Sequence, residues 1–302
     1  MVSVSEFKKR AKMDAHNHLN LGMRYASYVS WAGFYIPDFP RKLNGLDEMH
    51  VIIKNYTGVR CACEKDVQDL LDLSIQDAVA DGVTVLEGSI DLGFIRHCGN
   101  NVQRFLDMVK HLKEKFKKSL DFRPELGMGK LFDKNLIKKW APECIESGVF
   151  KSIDLYGPEV EDGIEDFQPL YKLAEKLGLK KKAHVGEFSN ARSVQRFAQF
   201  FGLDEIQHGI GAATDKAVMK FLRDEKLRLH VCPASNVLLS AVPSLEEHPI
   251  KILCENGVDV TIATDDLLFF NKSISEECAD LVNAGVLSKE QVFDILDRSV
   301  KK

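Results

Sequence analysis

Residues 12–19 read Lys12-Met13-Asp14-Ala15-His16-Asn17-His18-Leu19, a run of one strand's length that closes on two histidines. Similar short apolar or β-branched runs recur at 82–90, 120–128, 149–155, 181–186, 205–208, 227–232 and 258–263, with 120–128 the least regular. Between them, the segments 66–81, 101–118, 167–177, 191–201, 214–223 and 245–255 space their apolar residues as helices do. Strands alternating with helices imply parallel strands joined by right-handed crossovers, which close into a barrel or stay open as a doubly wound sheet. Eight runs favour closure, and the sequence predicts an α/β fold, a (β/α)8 TIM barrel.

Barrels of this kind use about this much chain as one unit, so a single domain over 1–302 is expected. No internal repeat, low-complexity tract or linker divides it. The stretch 21–63 breaks the rhythm with aromatic residues and proline. A long excursion after the first strand lies on the C-terminal face of a barrel, where the βα loops build the site. It is therefore expected to be a lid or pocket insertion, with Tyr25, Tyr28, Trp31, Phe34, Tyr35 and Phe39 in its wall. For any single aromatic the other outcome is a small satellite core that touches no ligand.

Composition narrows the partner. With 45% hydrophobic and 28% charged residues the chain is globular in character, and a net charge of −4 offers no basic field to nucleic acid or anionic lipid. A neutral small molecule suits it better. The first twelve residues lack an apolar stretch of signal-peptide or membrane-span length, so a cytoplasmic location is expected. Seven scattered cysteines form no disulfide framework, and Cys61 and Cys63 stand too close for the usual zinc-binding pair.

The chemistry-bearing residues fall at strand ends. His16 and His18 end the first run, His184 and Glu187 follow the fifth, His208 ends the sixth, and Asp265 and Asp266 follow the eighth. In a barrel these ends converge on one mouth. Residues two apart on a strand share a face, so both imidazoles of the His-x-His pair reach one point. With His184 and Asp265 they make a nitrogen-rich set with one carboxylate, suited to Zn²⁺ with a position left for water. Such a metal activates water at neutral pH, and hydrolysis is the natural reaction. Glu187, beside the set but outside it, is placed to move protons as general acid and base. His208 is either a further ligand or the group that takes the water's proton. Adjacent carboxylates at a strand end face different ways, so one of Asp265 and Asp266 can bind metal while the other meets substrate.

These motifs together, His16-Asn17-His18-Leu19, His184-Val185-Gly186-Glu187, His208-Gly209, Cys232-Pro233-Ala234-Ser235-Asn236 and Thr264-Asp265-Asp266, resemble the ordered set of the adenosine deaminase family in the amidohydrolase superfamily. The resemblance implies a zinc-dependent deaminase converting adenosine or a similar aminopurine and water to the hydroxypurine and ammonia. It implies one zinc per chain on His16, His18, His184 and Asp265, with Asp265 also in the catalytic set. Glu187 would protonate purine N1 and His208 orient and deprotonate the water. Asp266 would meet N7, and the backbone N–H of Gly157, in Asp154-Leu155-Tyr156-Gly157, would meet N3. His18 and Asn20 would also face the substrate, and Cys232 would pack inertly.

The chain departs from the family pattern at three places. Asn20 stands where the family has a carboxylate for the ribose, Glu87-Gly88-Ser89-Ile90-Asp91 replaces an Arg-x-Ser-Pro-like strand end, and Leu267 replaces a proline. Recognition of the sugar is the part these changes touch. Adenine, a modified nucleoside or a cyclic amide remain alternatives, as does a barrel that binds metal without turnover.

Overall fold

The computed structural model describes residues 1–57, 61–159 and 161–301. Eight parallel strands close into a barrel: β1 (Lys12–His18), β2 (Val83–Asp91), β3 (Glu125–Gly129), β4 (Ser152–Tyr156), β5 (Lys180–Val185), β6 (Glu205–His208), β7 (Arg228–Val231) and β8 (Asp259–Ile262). Each pairs with the next in chain order. Closure between β8 and β1 comes from a parallel bridge, Asn17 to Asp265, and from the Asp265 N–H donating to the His16 carbonyl at 2.8 Å. The irregular third run has a physical cause. Asp121–Phe122 pairs with Val85 and Leu86, Pro124 then has no N–H to give, and the ladder resumes at Glu125 against Ser89.

Helices cover the barrel where the spacing placed them, as Glu64–Ala80, Val102–Phe116, Gln168–Leu177, Ala191–Phe201 and Lys216–Asp224 show. The helix expected over 245–255 starts only at Ile250. Pro249 bars its predecessor His248 from the helical region, so the helix cannot extend further back. Lys134–Glu146 carries Pro142 in its interior, and Ile274–Asn283 and Lys289–Ser299 each open on a capping box, Ser273 with Glu276 and Ser288 with Gln291. No helix among the described residues is long and apolar enough to cross a membrane.

The barrel interior is charged below its mouth. Lys182 lies two residues before His184, on the same face and one layer down. Its Nζ is fully buried and sits 2.6 Å from Glu87, 2.9 Å from Glu125 and 3.6 Å from Glu205. Burial alone would strip its proton, but the three carboxylates outweigh that and hold its pKa well above the usual lysine value. Burial pushes Glu125 up to about 7. Glu205 is further bound to His230 at 3.1 Å and Lys180 at 2.8 Å.

Within the insertion lie helices Tyr25–Ala32 and Leu46–Ile52, the second continuing into a π-helical turn, Ile53–Thr57. Gly58, Val59 and Arg60 lie outside the described residues. The aromatic residues do not wall the pocket, contrary to the expectation. Tyr28 is fully buried, and Tyr25, Trp31 and Phe39 pack with Leu21, Met23, Leu43, Leu239 and 268–270 in a satellite core, Phe39 stacking on Phe269 at 4.6 Å. Phe34 and Tyr35 face solvent. Aromatic rings with a polar tip are satisfied by burial plus one carbonyl, and Tyr25 and Tyr28 find theirs at Ile36 (2.7 Å) and Thr57 (2.9 Å).

Removing the interior cation tests how far the barrel rests on this cluster. Lys182→Met keeps the volume and leaves Glu87, Glu125 and Glu205 short of their common partner, so stability in denaturant unfolding is expected to fall by about 3–5 kcal/mol.

Candidate active site

The strand ends carry the expected residues to one point. His16 and His18 lie where the β1–β2 register slips between Asp14 and Asn17, an irregularity that re-aims side chains. His208 and Asp265 hold left-handed backbone (φ 62° and 60°), uncommon away from glycine and a way of turning the chain inward at a strand end. One ligand atom each from His16, His184, His208 and Asp265 lie within 4.8 Å of one another. His18 Nε2 joins them, 3.2 Å from His184 Nε2 and 3.5 Å from Asp265 Oδ1.

This group has the chemistry of a metal centre. The buried His16 Nε2 has no hydrogen-bond partner, although Asp265 Oδ1 is 3.4 Å away. Burial pushes His16 down to about 4 and His208 to about 3, and holds His184 well below the usual value, so these imidazoles are neutral, and His16 and His184 have a ring lone pair to offer a metal. Burial works against ionising Asp265, but His16, His208 and His18 outweigh it and keep the carboxylate charged. Behind the cluster, Asp154 holds His184 Nδ1 at 3.0 Å, Ser235 donates to Asp265 Oδ2 at 2.7 Å, and Cys232 Sγ lies 3.4 Å from His16 Nδ1. Such outer contacts fix ring orientation around a metal.

One chain of hydrogen bonds sets the proton on His208. The Ile250 N–H donates to His248 Nδ1 at 3.1 Å, which leaves the proton of that ring on Nε2, facing Asn236 Oδ1 at 3.2 Å. The Asn236 amide nitrogen is thereby turned toward Glu187 Oε1 (3.0 Å) and His208 Nδ1 (3.2 Å). His208 then carries its proton on Nε2, 3.6 Å from Glu187 and 3.8 Å from Asp265. It presents a donor to the centre.

Glu187 is fully enclosed, and burial together with the charges of Asp265 and Glu159 raises its pKa well above the ordinary carboxylate range. Its loop is held from outside. Glu159 accepts from the backbone N–H of Gly186 (2.7 Å), Glu187 (2.7 Å), Phe188 (3.1 Å) and Ser189 (3.1 Å), and from the Ser189 hydroxyl. These donors hold it ionised despite its burial. Asp266 is raised well above its usual value by burial and by Asp265, and its buried Oδ1 is without a partner at the cavity, a carboxyl able to donate there.

A cavity of about 260 Å³ opens on this cluster, lined by His18, Asn20, Asp91, Gly157, Glu187 and Asp266, with Leu21, Leu46, Met49, Ile53 and Leu239 closing it. The insertion therefore contributes aliphatic side chains where aromatic ones were expected. The departures at 87–91 separate in space. Asp91 lines the cavity, whereas Glu87 is an interior partner of Lys182. Sequence reasoning did not single out Asp154, Glu159 or His248. Asp154 shares the motif of Gly157 and the strand-end rule could have found it, but nothing local marks Glu159 or His248.

Residues 44–302 match the adenosine deaminase family. A protein of Treponema pallidum described as a putative adenosine/adenine deaminase is 50% identical over 96% of this chain and 97% of its own length. Among solved structures, the N6-methyl-AMP deaminase of Arabidopsis thaliana superposes with TM-score 0.82 at 18% identity over 99% of this chain and 93% of that one. An amidohydrolase of Burkholderia ambifaria with bound zinc superposes with TM-score 0.76 at 17% identity, covering 100% and 96%. At these identities the two structures show the shared fold.

Elemental analysis of purified protein should find close to one divalent metal per chain. Removing it with a chelator should lower the melting temperature, because ligands gathered in the folded state would lose their common partner, and re-adding metal should restore it.

Proposed function

We propose that this chain, which belongs to the adenosine deaminase family, hydrolyses the exocyclic C–N bond of an aminopurine and releases ammonia, with adenosine the first substrate expected. The observation that carries the reading is the buried imidazole and carboxylate cluster facing a carboxyl, Glu187, whose surroundings keep it protonated.

His16, His18, His184 and Asp265 would hold the metal, and three nitrogens with one carboxylate suit zinc. Bound there, zinc supplies Lewis-acid activation of water. The protein's own groups do the rest. Glu187 gives its proton to ring N1, which draws electron density from C6 and opens it to the water oxygen. His208, with its proton on Nε2, orients that oxygen. Taking a proton at the same nitrogen would require the opposite tautomer and the loss of the Asn236 contact, so orientation is the role the network supports better. Asp266, kept protonated by its burial beside Asp265, donates to N7, and the Gly157 N–H donates to N3, fixing the ring in its plane. Of the water's two protons, one restores Glu187 and the other goes to the departing amino group, so ammonia leaves C6 and the carbonyl of the hydroxypurine remains.

A panel of purines and nucleosides on zinc-loaded protein, read by ammonia release and ultraviolet change, tests this. Glu187→Gln should lower turnover about 10²- to 10⁴-fold while metal content holds. Normal turnover in that variant would remove Glu187 from the mechanism, and silence across the whole panel would remove the deaminase reading.

A further inference from the structure

The order of strands around the mouth maps onto the perimeter of the bound ring, and this deepens the reading above, on which it rests. Going round the barrel, β8 is followed by Asp266, β1 by Asn20, β2 ends at Asp91, β4 ends at Tyr156 before Gly157, and β5 precedes Glu187. The purine perimeter runs N7, C8, N9, C4, N3, C2, N1. With N7 at Asp266, N3 at Gly157 and N1 at Glu187, N9 faces the intervening arc, where Asp91 stands.

We propose that Asp91 and Tyr156 form a wall that selects the group on N9: it takes a hydrogen-bond donor, either the N–H of a free base or a hydroxyl of a sugar, and turns away a phosphate.

The wall is built rather than incidental. The Tyr156 hydroxyl and the Gly93 N–H both donate to the Asp91 carboxylate, one to each oxygen, and each oxygen retains a lone pair. The Tyr156 ring lies edge-on to His18, centroids 5.1 Å apart. Glycines make room for it on the neighbouring strand, since a Cβ at Gly127 would sit 2.9 Å from the ring and 2.6 Å from Ser89 Oγ.

Among the described residues, no lysine or arginine lines the cavity, and the aliphatic face of the insertion closes much of the rest. A neighbouring cavity shares Leu46 and Glu159 with it, adds Asp47 and Phe188, and again has no lysine or arginine among its lining residues. Arg96, in the turn after β2, stacks on the Phe132 ring at 4.5 Å and lines neither cavity. His50, exposed at the rim, is the one imidazole of the lining outside the metal cluster. Phosphate recognition uses guanidinium, ammonium or converging N–H groups, and a dianion against Asp91 meets like charge instead.

The test pairs turnover with binding that needs no turnover. On zinc-loaded protein, kcat/KM is measured for adenine, adenosine, 9-methyladenine, AMP and N6-methyl-AMP, and calorimetry gives affinities for hypoxanthine, inosine and IMP. Adenine or adenosine should lead, the leader naming the source of the donor. Both nucleotides should fall about 100-fold below it, as like-charge juxtaposition predicts, and IMP should bind correspondingly weakly. Adenine should also exceed 9-methyladenine, which keeps the ring and lacks the donor, by about tenfold or more. Asp91→Asn can still accept from the Gly93 N–H at Oδ1 and donate from its amide nitrogen to the Tyr156 hydroxyl, so it should melt near the parent. It should narrow the nucleotide gap to about tenfold and weaken the preferred substrate through KM with kcat little changed. Tyr156→Phe should act in the same direction on KM.

Nucleotides used as well as the unphosphorylated compounds, 9-methyladenine equal to adenine, or discrimination unchanged in Asp91→Asn would each overturn the wall. If no purine is turned over while IMP still binds far more weakly than inosine or hypoxanthine, the deaminase reading falls and the wall stands. If none of the three products binds, both fall.

Discussion

The hydrogen bond from the Asp265 N–H to the His16 carbonyl, 2.8 Å long, joins the end of the barrel to its beginning. Both residues belong to the metal-ligand cluster, so closing the barrel and assembling the site are one event. The seam is reinforced by side chains. Asp14 accepts from the Thr264 hydroxyl at 2.6 Å and from Asn17 at 3.1 Å, and Gly22 has no Cβ because one would lie 2.0 Å from Asn17 Oδ1. A barrel that slipped by one residue here would turn His16 and His18 away from Asp265 together. Left-handed backbone at Asp265 and His208 is tolerable because the strands on either side leave little freedom to relax.

Packing so many ionisable groups into a buried barrel interior is costly unless each has a partner, and the structure meets this in two layers. In the lower layer Lys182 serves three carboxylates. In the upper layer imidazoles surround one carboxylate, Asp265, in a set placed to share a cation. Asp154 joins the layers: it lies in the field of Lys182 and holds His184. Glu87, which looks from sequence like a changed substrate contact, belongs to the lower layer. Its carboxylate balances Lys182, so its residue type is set by charge inside the barrel.

What the sequence discloses follows from distance along the chain. His16, His18, His184, His208, Glu187 and Asp265 are legible because strand ends of a barrel share one mouth, a rule that needs the strand count and no pairwise contact. Glu159 and His248 are not, because their work is done across the fold. Glu159 reaches the backbone of the loop after β5, and His248 acts through Asn236, which the sequence showed only as the last residue of the Cys232-Pro233-Ala234-Ser235-Asn236 motif. The aromatic residues of the insertion misled for a related reason. A ring signals burial, and burial against 268–270 satisfies it as fully as burial against a ligand. The helix Leu46–Ile52, with little aromatic character, is the part that reaches the cavity.

The mouth divides its labour by strand. The arc from β5 through β8 to β1 carries the metal cluster, Glu187, His208 and Asp266, and its side chains constrain one another through Asn236 and Ser235. The arc from β1 to β4, with the insertion, carries Asn20, Asp91, Tyr156 and the aliphatic cap; Asp154 and Glu159 tie it to the first through His184 and the loop after β5, whereas Asp91 takes its donors, Tyr156 and Gly93, from its own arc. A change at Asp91 leaves the Asn236 and His248 contacts that set the proton on His208 as they are. Such a division lets the group accepted on one side of a bound ring change while the chemistry on the other side stays fixed. The departures of this chain at Asn20 and Asp91 fall in the selective arc, and none falls among the residues proposed to hold the metal.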